Sequence, residues 1–301
     1  MMHDHIKNLM NLGFLLDSDT ADIVKNLDEE SFYRLVEGLK NEKSVVLSKE
    51  LIKKLLSKEV NIIRSFKPVQ SFTVQDFVKT LNERYSFLQK ILLSKLELSN
   101  VVSINKFSTG EVSIIGLVKT KEEKDDNYIL TLEDTTGELQ AIIPKVMGEK
   151  LSLDDVVAVS GKINNKILFV ENLIFPDVPL RPVTYSQENV KIVFSDEKIE
   201  QKIDYLISKD KVEDKIKNKI YEIVNPSIFE IEGVRILLIF DLDPSEILKK
   251  RFVKIENTDF LIEPVPDIVL TNKETNTNYK GISIVSKNKI IDLKTRETQG
   301  I

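Results

Sequence analysis

The chain has 301 residues, 42% of them hydrophobic and 30% charged, with a net charge of −5, no cysteine and only two histidines, His3 and His5. That length and apolar content can fill the cores of about two domains. The missing cysteines exclude a disulfide framework and a thiolate zinc site, and no apolar run approaches the roughly 20 residues that span a bilayer.

The opening MMHDHIKNLMNLGFLL lacks a cationic n-region and a small-residue cleavage site, so a cytoplasmic chain without membrane contact is expected. His3 and His5 then read as a frayed tail, not a ligand pair. High charge, many Lys and Ile residues and no Trp point towards a hot environment.

Residues 1–63 read as a small helical module, with Ile6, Leu9 and Leu12, then Phe32, Leu35, Val36 and Leu39, then Leu47, Leu51 and Leu55 at helical spacing. Asp17, Ser18, Asp19 and Thr20 supply turn and N-cap chemistry, and Ser48 can cap a later helix. Residues 64–99 read as a tether, the end of IIRSFKPVQSF, and a long helix at 73–98 whose stripe Phe77, Leu81, Tyr85, Leu88, Leu92 and Leu96 faces a core.

At residue 100 the period changes. Apolar runs at 111–119, 127–134, 138–144, 155–162 and 166–175 read as five strands of an OB-type β-barrel over 100–177, with Gly116 and Gly161 at bends or bulges. Such barrels bind single strands through a basic, aromatic groove. This segment has 8 basic against 13 acidic residues, no arginine, and only Phe107, Tyr128, Phe169 and Phe175 as aromatics, so packing on a neighbour is the expected role. Glu133, Asp134 and Thr135 read as turn formers.

The proline-marked stretch PDVPLRP opens a linker, taken as 178–189. Residues 190–301 then alternate in an α/β pattern: VKIVF, a long polar helix near 197–224, EIEGVRILLIF, a helix near 244–251, PDIVLT and a final hairpin over 281–293. Ligands of such sheets sit beyond the carboxyl ends of the strands. The residues there are Ser195, Asp196 and Lys198; Phe240, Asp241 and Asp243; and Asn272, Lys273 and Thr275.

The order of LTLEDTTGEL (130–139), PDVPLRP, VKIVFSD (190–196), NPSIFEIEGVRILLIFD (225–241), VPDIVLTN and YKGISIVS, with the helix DFVKTLNERYSFLQKIL (76–92) before them, resembles the small, B-type subunit of the archaeal family D DNA polymerase. The resemblance implies a multidomain α+β chain: N-terminal helical module, five-stranded OB-type β-barrel, and a reduced calcineurin-like phosphoesterase-like domain at 190–301. Active phosphoesterases of that kind carry Asp-x-His after the first strand, Gly-Asp and Gly-Asn-His blocks, a His-Gly and a closing Gly-His-x-His. Carried over, only Asp196 survives; the first histidine falls on Lys198, the later His-Gly on Phe240 and Asp241, and the closing motif on Asn272, Lys273, Glu274 and Thr275.

A two-metal centre needs imidazoles and carboxylates at fixed positions, and a protonated lysine cannot ligate a cation. With no phosphate-binding glycine loop, nucleophile–base pair or dinucleotide fingerprint elsewhere, no intrinsic activity and no cofactor are expected. The resemblance then implies an accessory subunit that binds the catalytic large subunit, meets DNA through that complex, and recruits other replication factors through its N-terminal module. Two alternatives stand beside it. One is a metal-dependent 3′–5′ exonuclease using Asp196, Asp241, Asp243 and Glu274; the other is an OB-type single-strand binder.

Overall fold

The computed structural model describes residues 4–27, 29–39, 45–56, 60–68, 73–106, 109–209, 219–255 and 258–301. The chain divides into two compact units, Met1–Asn61 and Ile62–Ile301. Among the described residues no helix is long and apolar enough to cross a membrane.

The first unit runs α1 (Asp4–Asn11), β1 (Leu15–Leu16), α2 (Ser18–Lys25), α3 (Glu29–Leu39), β2 (Val46–Leu47) and α4 (Lys49–Leu56). Leu9, Val24, Leu35, Leu39, Leu47 and Ile52 form its core. The capping signals act as physical chemistry dictates: the Asp17 carboxylate accepts the Thr20 N–H at 2.8 Å, which holds its pKa below the usual range, and Ser48 Oγ accepts the Leu51 N–H. Two points depart from the sequence reading. The module contains a short parallel pair, β1 with β2, and His5 is not a frayed tail: it lies in α1 with its ring stacked on Phe32, centroids 4.0 Å apart. His3 lies outside the described residues.

The second unit opens inside β3 (Asn61–Ser65), an edge strand of a six-stranded sheet, where a tether was expected. Phe66 continues the attachment, its N–H donating to Pro226 O, while residues 69–72 lie outside the described set. The long helix α5 (Val74–Leu93) starts on a capping box in which Thr73 and Asp76 exchange side-chain and main-chain bonds. It packs Tyr85, Leu88 and Leu92 against Ile115, Val156 and Ala158 of the barrel. Arg84, on the same face and 1% exposed, pairs with Asp259 at 2.9 Å and lies 4.6 Å over the Phe252 ring.

The barrel comprises β4 (Gly110–Lys124), β5 (Asn127–Asp134), β6 (Gly137–Pro144), then the turn of helix α6 (Lys145–Gly148), β7 (Val156–Asn164) and β8 (Ile167–Ile174). It closes in the order β4-β5-β6-β8-β7, the five-stranded Greek-key closure of an OB-type barrel. Alternate residues such as Ile114, Leu130, Leu132, Ala141, Val157 and Leu168 fill the interior. Gly161 sits at a register shift, where a Cβ would collide with Phe169 main chain. The other shift falls between Val118 and Thr120, beyond Gly116.

Residues 178–189 form neither helix nor strand, yet they are pinned: Val178 is fully buried, and Ser186 N–H donates to Leu293 O at 2.9 Å. Just before them, the Asp177 carboxylate accepts from Tyr279 Oη and Lys280 Nζ.

Two larger sheets and a separate two-stranded hairpin follow; the elements are β9 (Lys191–Phe194), β10 (Tyr205–Ser208), β11 (Lys219–Glu222), β12 (Ser227–Ile231), β13 (Val234–Ile239), helix α7 (Pro244–Lys250), the β14 (Phe252–Ile255)/β15 (Thr258–Leu261) hairpin, β16 (Ile268–Thr271), β17 (Asn276–Tyr279), β18 (Ile282–Ser286), β19 (Lys289–Asp292) and β20 (Thr298–Gly300). One sheet has the order β11-β10-β9-β19-β20, the other β17-β18-β16-β13-β12-β3. The polar helix expected near 197–224 is replaced by β10 and β11, which pair in parallel with β9 through β10; residues 210–218 lie outside the described set. Tyr205–Ser208 is buried along its whole length, and a short strand covered on both faces shows no alternation. The expected final hairpin is also corrected. β18 bonds β16 and β17 while β19 bonds β9 and β20, so neither has an edge left for the other and the chain passes from one sheet to the next at Lys287 and Asn288.

Candidate functional site

The carboxyl ends of β9, β13, β16 and β18 share one rim, tied together by aromatic stacking and main-chain bonds. Phe194, last in β9, stacks on Phe240, just past β13, with centroids 4.9 Å apart. The Asn288 N–H donates to Phe194 O and the Lys287 N–H to Thr271 O, joining the turn after β18 to both sheets.

Asp196 lies just past β9, and its oxygens are both taken. Oδ1 accepts the Lys209 N–H at 2.9 Å and Oδ2 pairs with Lys287 Nζ at 3.1 Å. Burial pushes this carboxyl up, but the Lys209 N–H and the Lys287 ammonium outweigh it and hold the pKa below the usual value. Asp241 is engaged elsewhere: its N–H donates to Asn272 Oδ1 at 2.8 Å, and Asn272 Nδ2 returns a bond to Asp241 Oδ1 at 2.7 Å. Its φ of 63° is a left-handed conformation that Asp tolerates better than most residues.

The remaining acids also have local duties or lie in solvent. Asp243 Oδ1 caps α7 by accepting the Ser245 and Glu246 N–H groups. Lys198, Lys273 and Glu274 are exposed, and Thr275 Oγ1 lies 3.4 Å from Thr277 Oγ1. The rim thus brings together Asp196 with Lys287, Asp241 with Asn272, and Phe240 with Phe194. Among the described residues no group of three His, Cys, Asp or Glu converges as a metal ligand set. Lys287 and Lys209 were not singled out in the sequence. The end-of-strand rule would have found Lys287 directly after GISIVS, had that run not been read as half of a hairpin.

The barrel offers a second surface, where Lys119, Lys121, Lys145 and Lys162 are already engaged. Lys119 pairs with Glu138 at 2.5 Å and Glu133 at 3.4 Å, Lys145 with Glu123 at 2.5 Å, and Lys162 with both Glu111 and Glu171 at 3.7 Å. Lys121 Nζ donates to the carbonyls of Gly148 and Leu151 and lies 4.0 Å over the Tyr128 ring. Of the aromatics, Phe175 is buried, Tyr128 half-buried and Phe169 exposed; Phe107 lies outside the described residues. Asp134 holds its turn, accepting from the Thr136, Gly137 and Ile104 N–H groups.

No family model matches the chain. The DNA polymerase II small subunit of Archaeoglobus fulgidus is 30% identical over 124 residues, 40% of this chain and 25% of that protein. Its counterpart in Pyrococcus abyssi is 37% identical over 117 residues, 36% of this chain and 19% of that protein. Part of this chain is similar to archaeal DNA polymerase II small subunits. The similarity spans a quarter or less of the length of these relatives. Among solved structures, a replication protein A domain of Methanococcus maripaludis is 19% identical over 24% of this chain and 91% of that domain, with a TM-score of 0.23. A score that low carries no argument, and the barrel stands on its own strand order.

Proposed function

We propose that this chain is a non-catalytic accessory subunit of a replicative DNA polymerase, whose barrel and degenerate phosphoesterase-like domain (190–301) bind and stabilise the catalytic large subunit in a heterodimer. The similarity to polymerase small subunits supplies the partner. The observation that carries the loss of catalysis is the Lys287 ammonium on Asp196, which occupies the one retained acid with an internal cation. DNA would be met through the complex. Recruitment of other replication factors falls to the first unit, where Leu12, Leu15 and Tyr33 are more than half exposed.

The exonuclease reading would need Asp241 and Asp243 to leave Asn272 and the α7 cap. The strand-binding reading would need the barrel's lysines to leave their acids. The test is co-purification with the large subunit, followed by a Mn²⁺-dependent exonuclease assay on the chain alone and on the complex. A stable complex with no cleavage by the chain alone is expected. Cleavage by the isolated chain, lost in Asp196→Ala, would overturn the reading.

A further inference from the structure

At the amino ends of β13 and β16, opposite the rim just described, two arginines pair with one carboxylate and a third reaches them through Thr184. Asp267, 1% exposed, directly precedes β16. Its Oδ2 accepts the Arg235 N–H at 2.8 Å and faces Arg235 Nε at 3.4 Å, while Oδ1 pairs with Arg181 Nη2. Arg181 also donates to Thr184 Oγ1 at 3.2 Å, and Arg296 places Nε and Nη2 on Thr184 O, Nε at 2.9 Å.

Arg181 is the middle member of the row, sharing Asp267 with Arg235 and Thr184 with Arg296. Burial, then the charge of Arg235, draws the Arg181 pKa down. Burial draws Arg296 down to about 10, with Tyr185 opposing the fall and Arg181 adding to it. Two carboxylates stand beside the three guanidiniums, Asp267 and Glu230, the latter opposite Arg235 across β12 and β13. Two sets of donors are also unused: Arg296 Nη1 is buried without a hydrogen-bond partner, and the Nη groups of half-exposed Arg235 bond to none of the described residues. A buried donor left unpaired is a standing cost, and planar guanidinium forks match oxyanions two bonds at a time.

We propose that Arg181, Arg235 and Arg296 form a phosphate-binding site, filled by free phosphate or by a phosphodiester of a polynucleotide backbone. Asp267 and Thr184 hold the forks in place, and Arg235 reaches the ligand from the solvent side. The site rests on neither the polymerase reading nor the carboxyl rim.

The test uses the full chain and Arg235→Gln, which keeps the main-chain bond to Asp267, with Arg235→Lys as a milder second variant. Calorimetry with inorganic phosphate is run at constant ionic strength against chloride, and anisotropy of a labelled single-stranded oligonucleotide is followed across a salt series. Saturable phosphate binding that chloride does not reproduce is expected, about tenfold weaker in Arg235→Gln and intermediate in Arg235→Lys. If oligonucleotide binding also weakens and its salt slope falls by about one, the backbone is the source; if only phosphate binding changes, free phosphate is. No phosphate binding, or equal binding by wild type and both variants, overturns the proposal.

Discussion

At the scale of single residues, Asp196 at the rim is paired with the Lys287 ammonium. Asp196 is held below its usual pKa, so its contribution to stability is fully present above the unfolded value near pH 4 and is lost as pH falls through the folded value. Lys287→Met should lower stability by about 0.5–1 kcal/mol at pH 7, since both side chains are only a quarter to a third exposed. Urea denaturation should show that difference at pH 7 and its disappearance below the folded pKa; an equal loss at both pH values would assign the effect to packing. Asp196 was legible because it lies two residues past the apolar run that ends at Phe194. Lys287 was not, because a lysine after a strand looks like a solvated turn until a second sheet is brought beside it.

The barrel strands were legible at the scale of elements because they are long and alternate, one face filling the interior. β10 was not: four residues buried on both faces lie among charged neighbours and carry no period. β3 was missed for a related reason, its identity coming from a partner, β12, some 160 residues away in sequence. Helix α5 was read as core-facing, but only the structure shows that its anchor is ionic as well as apolar. Removing Arg84 would leave Asp259 buried and unpaired, so Arg84→Ala should cost about 3–5 kcal/mol, measured by urea denaturation. Arg84→Met combined with Asp259→Leu should recover most of that loss, and a double variant no better than the single one would refute the pairing argument. At the barrel's bulge, Gly161→Ala should destabilise by about 1–3 kcal/mol, because Phe169 main chain leaves no space for a methyl group.

For the whole molecule, the net charge of −5 conceals a division between quenched and unquenched cations. Lys119 sits against Glu133 and Glu138 of the barrel itself, so Lys119→Ala should leave oligonucleotide binding by the chain unchanged, an outcome read by anisotropy at low salt. Composition showed the barrel to be acidic. It did not show the row of Arg181, Arg235 and Arg296, because those residues are more than 100 positions apart from first to last and only the fold brings them together.

The crossing from β18 to β19 has a dynamic consequence. Because the turn at Lys287 and Asn288 bonds Thr271 in one sheet and Phe194 in the other, neither sheet can open at its carboxyl rim without tearing that turn. The amides of Ile192 in β9 and Val269 in β16 should then exchange with deuterium through one shared opening, as a single cooperative unit with a common protection free energy.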